Sequence, residues 1–186
     1  MAETESKMVA LGTEAPGFSL PDVISGEKKS LKDLKSNKGT VVMFICNHCP
    51  FVKHVQKGLV SLTRDYIAKG ISFIAINSND IENYPEDSPE NMKKEAQKFK
   101  YSFPYLFDES QKVAHAYHAA CTPDFYVYDK DLKLVYRGQM DDSRPDNGIA
   151  VSGKDLRRAL DDLLDSRPIN PDQRPSIGCN IKWKTQ

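Results

Sequence analysis

The chain has no apolar run longer than the six residues Val41–Cys46. A membrane-spanning helix needs ~20 such residues, so no membrane segment is expected. Residues 1–12 are polar and charged, and without an apolar stretch they do not read as a signal peptide. Neither sign of charge is in surplus: 26 Lys and Arg stand against 26 Asp and Glu. Nothing in the composition therefore supports a nucleic-acid partner or an anionic membrane surface. Cysteine is scarce, with 4 in 186 residues. A chain of this length buries a core without disulfide staples, and the expected compartment is the cytoplasm. Thiols are kept reduced there, so neighbouring cysteines point to catalysis, redox sensing or metal binding rather than to structural bridges. Internal repeats and low-complexity tracts are also missing.

What is present reads as one domain. Residues 1–11 are expected to form a flexible arm, 12–166 the domain, and 167–186 a proline-rich, polar tail packing on it. Phe18–Leu20 and Lys28–Leu31 flank the turn Ser25-Gly26 and predict a β-hairpin, with a short helical turn over Leu31–Leu34. Thr40–Cys46 is β-branched and apolar, which suits a strand buried on both faces. A helix is predicted from Pro50 to Lys69, since Val52, Val55, Leu59, Leu62 and Tyr66 recur at helical spacing and Gly70 ends the pattern. A second apolar strand, Ile71–Ile76, follows. Ser88-Pro89 reads as an N-cap and first helical residue, opening a helix to about Lys100. A shorter helix is expected over Gln111–Ala119. Phe125–Tyr128 and Leu132–Tyr136 predict a hairpin around Asp129-Lys130-Asp131. Ser152 with Asp155 resembles a capping box before a last helix, Leu156–Leu164. The order implies an α/β fold with a central mixed sheet flanked by helices.

The chemistry centres on Cys46-Asn47-His48-Cys49. Cys46 is expected at the end of a buried strand, and Cys49 opens a helix whose free amides and dipole favour a thiolate on Cys46. Pro50 follows at a position where its missing N–H costs little. A positive His48 beside Cys46 would lower that thiol's pKa and make the couple more oxidising than thioredoxin, at ~−270 mV. A competing reading joins the two cysteines with His115 and His118, or with His48, in a Cys₂His₂ zinc site, or in a site for copper. There is no second CxxC to support it, and no metal is assigned.

Further stretches carry a resemblance: Gly12-Thr13-Glu14-Ala15-Pro16-Gly17-Phe18, Val41–Pro50, Ile76-Asn77-Ser78-Asn79-Asp80, Thr122-Pro123-Asp124-Phe125 and Pro175-Ser176-Ile177-Gly178-Cys179. Over residues 10–184 the chain resembles the thioredoxin-like superfamily, and within it the peroxiredoxin-like branch related to alkyl hydroperoxide reductase and thiol-specific antioxidant, carrying CxxC. The resemblance implies a thioredoxin-like fold with an N-terminal β-hairpin extension. It also implies a cis-proline at Thr122-Pro123 facing the dithiol and shaping a substrate groove. Peroxide-reducing relatives carry a proline, a threonine and an arginine that would fall at Val42, Cys46 and near Thr122, where this chain has none of them. Thiol–disulfide exchange is therefore expected over direct hydroperoxide reduction, with Cys46 as nucleophile and Cys49 resolving. Protein or small-molecule disulfides and thiols are the expected substrates, with hydroperoxide as alternative. No cofactor is needed, and a homodimer is compatible with the fold. Cys121, beside Thr122, and Cys179, in the tail, are candidate third thiols. His54 is expected on a helix surface, His115 and His118 on one helical face, and Trp183 as an anchor for the tail.

Overall fold

The computed structural model describes residues 3–185. Ten strands and five helices follow in the order β1 (Glu3–Glu5), β2 (Ser19–Pro21), β3 (Lys28–Ser30), α1 (Leu31–Leu34), β4 (Thr40–Phe44), α2 (Pro50–Ile67), β5 (Ser72–Asn77), α3 (Pro89–Phe99), β6 (Tyr105–Phe107), α4 (Lys112–Ala116), β7 (Cys121–Thr122), β8 (Asp124–Tyr128), β9 (Leu134–Gly138), α5 (Lys154–Leu164) and β10 (Ile177–Asn180). A five-stranded sheet in the order β6-β5-β4-β8-β9 forms the centre. β4, β5 and β6 run parallel, while β8 pairs antiparallel with both β4 and β9.

Successive residues of a strand face opposite sides of its sheet, and both sides here are apolar. Val41, Met43, Phe73, Ala75, Phe125 and Val127 pack against α2, α3 and α5. Val42, Phe44, Ile74, Ile76, Tyr126 and Tyr128 form the opposite core with Leu31, Ala114 and Tyr117. This is why β4 reads as an unbroken apolar run rather than an alternating one. α2 presents Val52, Val55, Leu59, Leu62 and Tyr66 as its buried stripe. No helix among the described residues is long and apolar enough to cross a membrane.

The β2–β3 hairpin forms as expected. Residues 3–5 do not hang loose. β1 pairs antiparallel with β10, which pairs with β7 in a second, three-stranded sheet. The three strands are two to four residues each, too short for a period-2 pattern to register in sequence. β6 escaped the sequence reading for the same reason. The capping box expected at Ser152 is not made. α5 opens after Gly153 at φ 69°, without a side-chain cap. Asp141 instead takes the amides of Ser152 and Gly153 at 2.8 and 2.6 Å, and Asp155 accepts a bond from Gln139.

Candidate active site

β4 ends at Phe44, two residues before Cys46. The amide of Ile45 still donates to Ile76 O at 3.1 Å, so the pairing persists just past the strand end. Cys46 therefore lies in the loop that joins the central strand to α2, rather than in the strand itself. Cys49 is the N-cap residue of α2, and Pro50 opens the helix. The loop between the cysteines is held from one side. Asn47 donates its backbone N–H to Asp87 Oδ1 at 2.6 Å and its side-chain amide to Glu86 O at 2.8 Å, and accepts from Tyr105 Oη at 3.1 Å. His48 Nδ1 meets Asp87 Oδ2 at 2.5 Å, and its ring stacks on Tyr84 with centroids 5.3 Å apart. Asn79 Nδ2 reaches the same Asp87 oxygen at 2.8 Å.

Asp87 was not anticipated from sequence. It ends a single 3₁₀ turn, Pro85–Asp87, and is fully buried. An acid in an irregular loop gives no periodic signal of burial, so only the fold exposes its role. Burial alone would favour its neutral form, but hydrogen bonds from His48, Asn79 and Asn47 outweigh that and hold its carboxyl below the usual range. The same bond to Asp87 raises the His48 pKa, against the opposing effect of burial. The result is an imidazolium–carboxylate pair buttressing the dithiol loop. Among the described residues, His48 Nε2 has no hydrogen-bond partner.

On the other side stands the Thr122-Pro123 segment. Its peptide bond is cis, as the resemblance implied. Thr122 Oγ1 lies 3.3 Å from Cys46 Sγ, and Thr122 O lies 3.3 Å from Cys49 Sγ. Both active-site sulfurs are thus gripped by one residue of β7. Cys46 is 2 % exposed and Cys49 fully buried. A cleft of about 680 Å³ opens beside them, lined by Asn47, His48, Lys53 and Lys57 of the loop and α2 and by Lys94 and Lys98 of α3.

The charge distribution differs from expectation. Burial, the Cys49 hydrogen bond and the nearby Asp87 charge push the Cys46 thiol up. Hydrogen bonds from Cys179 and Cys46 pull Cys49 far down, despite burial, and the amides of Val52 and Cys179 add to this. Cys49, at the helix N-terminus, is therefore the more acidic of the two thiols. The positive charge of His48 is matched by Asp87 instead of being spent on Cys46.

Cys179 and Cys121 separate cleanly. Cys179 Sγ lies 2.8 Å from Cys49 Sγ. β10 carries it there, with Cys179 opposite Thr122 in the register. Gly178 permits this approach, because a Cβ at that position would sit 1.9 Å from Thr122 O. Cys121 is not joined to the dithiol: its sulfur donates to Pro123 O at 3.8 Å, and burial raises its pKa strongly. It is a protonated packing residue. The other histidines also lie elsewhere. His115 stacks on Trp183 with centroids 4.2 Å apart, so Trp183 does anchor the tail. His118 lies beyond the end of α4 at φ 54° and shares no helical face with His115. Nε2 of His54 is enclosed, not on an open helix surface. Among the described residues, only Cys46, His48 and Asp87 bring three ligand-type atoms within 4.8 Å of one another. A metal there would have to displace the His48–Asp87 bond, and the competing Cys₂His₂ set with His115 and His118 is not assembled.

A mixed sheet between helices, a CxxC ahead of a helix and a facing cis-proline define a thioredoxin-like protein with a dithiol site. The thioredoxin domain of a thiol–disulfide oxidoreductase from Bacteroides vulgatus superposes with a TM-score of 0.59 at 20% identity, over 86% of this chain and 96% of that one. The model of the AhpC/TSA family matches residues 11–137, and the chain belongs to that family. It is 29% identical over 139 residues to the thiol–disulfide oxidoreductase ResA of Geobacillus kaustophilus, covering 74% of this chain and 75% of that protein. A crystal structure of an uncharacterised conserved protein from Geobacillus kaustophilus is 63% identical, with a TM-score of 0.98 over 100% of this chain and 98% of that one.

Proposed function

We propose that Cys46 and Cys49 are the working couple of this protein and that Cys46 meets the substrate. The chain is a thiol–disulfide oxidoreductase of the thioredoxin-like type. The observation that carries the assignment is the shared grip of Thr122 on both sulfurs, which sets the dithiol against the segment containing Pro123.

Asn47 and His48, the residues that follow Cys46, line the cleft. Cys46 Sγ lies 3.3 Å from Thr122 Oγ1. Cys46 gives up its proton to water as its sulfur attacks one sulfur of a substrate disulfide. The substrate S–S bond breaks, a Cys46 mixed disulfide forms, and the departing sulfur leaves as a thiolate. Cys49 then attacks Cys46 Sγ, releases the second substrate thiol and closes the Cys46–Cys49 disulfide. The two electrons gained by the substrate sulfurs are those the dithiol has lost.

Protein or small-molecule disulfides are the substrate class in this reading, and the sparse cysteine usage supports a reducing, cytoplasmic setting. Direct hydroperoxide reduction is the weaker alternative, because Val42 and Cys46 stand where peroxide-reducing relatives carry their proline and threonine, and no arginine stands near Thr122 in the sequence, where theirs would fall. The test is single turnover against a disulfide-bonded peptide. Cys46→Ser should abolish reduction, and Cys49→Ser should stall as a mixed disulfide on Cys46. A mixed disulfide forming on Cys49 of the wild-type protein would overturn the assignment.

A further inference from the structure

The reaction above uses two sulfurs, yet a third lies in contact with one of them. Cys49 Sγ and Cys179 Sγ are 2.8 Å apart, and a disulfide bond is ~2.05 Å long, so closing the gap takes less than about 1 Å of movement. Cys179 is buried and faces Cys49 from β10. The three sulfurs do not all lie within 4.8 Å of one another, since they form no such trio among the described residues. Cys49 is the sulfur common to the CxxC and to the Cys179 contact. Two thiolates on one tetrahedral zinc, each ~2.3 Å from the metal, would stand ~3.8 Å apart, so the Cys49–Cys179 contact is too close for a shared ion. It has the spacing of an exchange pair.

We propose that Cys179 is a third redox thiol, which takes Cys49 out of the Cys46–Cys49 disulfide and forms a buried Cys49–Cys179 disulfide. This inference rests on the Cys46–Cys49 couple proposed above. The step is an internal exchange. The Cys179 sulfur gives up its proton and attacks Cys49 Sγ, the Cys49–Cys179 bond forms, and the Cys46–Cys49 bond breaks. Cys46 leaves as the thiolate and takes the proton. No electron is gained or lost overall, so neither an outside oxidant nor a reductant is needed. Oxidising equivalents move from the cleft side to the β10 side of the site, and Cys46 is returned as a thiol beside Thr122. The close approach that Gly178 allows is what places this acceptor.

The test uses the full-length protein and its Cys46→Ser variant, each equilibrated with excess glutathione disulfide, alkylated and mapped as non-reduced peptides. Circular dichroism first establishes that the variant is folded. In Cys46→Ser the expected product is a Cys49–Cys179 disulfide with no glutathione retained. In the oxidised wild type the same linkage should accompany Cys46–Cys49, with Cys46 alkylated in that fraction. Persistence of a Cys49–glutathione disulfide in the variant, with Cys179 fully alkylated, would overturn the proposal. A wild-type protein that forms no Cys46–Cys49 disulfide while Cys46→Ser still links Cys49 to Cys179 would instead sink the earlier reading, so the two failures are distinct.

Discussion

Asp87→Asn is the substitution that probes the loop most sharply. The side chain keeps its shape but loses its charge. In the native protein Asp87 accepts three hydrogen bonds, from Asn47 N–H, His48 Nδ1–H and Asn79 Nδ2, at 2.6, 2.5 and 2.8 Å, with no exposure to water. Asparagine has one acceptor oxygen, so its own NH₂ group must face at least one of these donors. Hydrogen bonds to a charged group contribute ~1.5–3 kcal/mol each, and breaking a buried pair costs ~3–5 kcal/mol. His48 can release its proton once the carboxylate is gone, which limits the damage, so a loss of about 3 kcal/mol at neutral pH is expected. Urea denaturation of both proteins as a function of pH checks it. The His48 pKa is raised in the fold, so its contribution is complete below the unfolded value of ~6.5 and fades as pH rises through the folded value. The Asp87 pKa is lowered, so its contribution is present above ~3.9 and is lost as pH falls through the folded value. The stability gap between the proteins should therefore be widest from mildly acidic to neutral pH and narrow on both sides. A gap under about 1 kcal/mol that is flat with pH would refute the idea of a charged, buried buttress.

Cys179→Ala removes the largest influence lowering the Cys49 pKa. The thiolate titration followed by ultraviolet absorbance should shift its midpoint upward, and an unchanged midpoint would move the thiolate away from Cys49. Gly178→Ala places a methyl group 1.9 Å from Thr122 O. It should cost about 3 kcal/mol in thermal or urea unfolding by forcing β10 off β7, whereas a neutral effect would mean that β10 is not seated there. Arg137 is fully buried, donates through Nη2 to Asp124 Oδ2 at 2.9 Å, and stacks on Tyr126 with its guanidinium carbon 3.9 Å from the ring centroid. Arg137→Ala strands the buried Asp124 charge and should lose about 3–5 kcal/mol, while a surface-like loss below 1 kcal/mol would contradict the pairing.

The elements legible in the sequence were those with a long period or a strong local signal. β4 announced itself by its apolar run, α2 by its stripe, α3 by Ser88-Pro89, and the active-site pair by the strand–CxxC–helix context. Local chemistry misled where a tertiary partner competed for the same donors. Ser152 and Asp155 have capping-box spacing, but Asp141 and Gln139 claimed the groups involved. Cys179 stood out as a candidate third thiol, but the long-range contact itself carried no local trace. Nothing near Cys179 encodes a distance of 2.8 Å to a sulfur 130 positions earlier. Nor does Asp87 differ in sequence context from a solvated loop acid. His48 shows the consequence: its place beside the thiols was readable, whereas the carboxylate that matches its charge was not.

The most direct test of the account is a redox titration of the wild-type protein in glutathione buffers, with thiol alkylation and disulfide mapping at each point. The account predicts that oxidation engages Cys46 and Cys49, that Cys121 stays alkylatable throughout, and that one equivalent of hydroperoxide leaves the thiols largely reduced on the seconds scale. Rapid oxidation by hydroperoxide that survives loss of either Cys46 or Cys49 would contradict it, as would thiols that resist alkylation until a chelator is added.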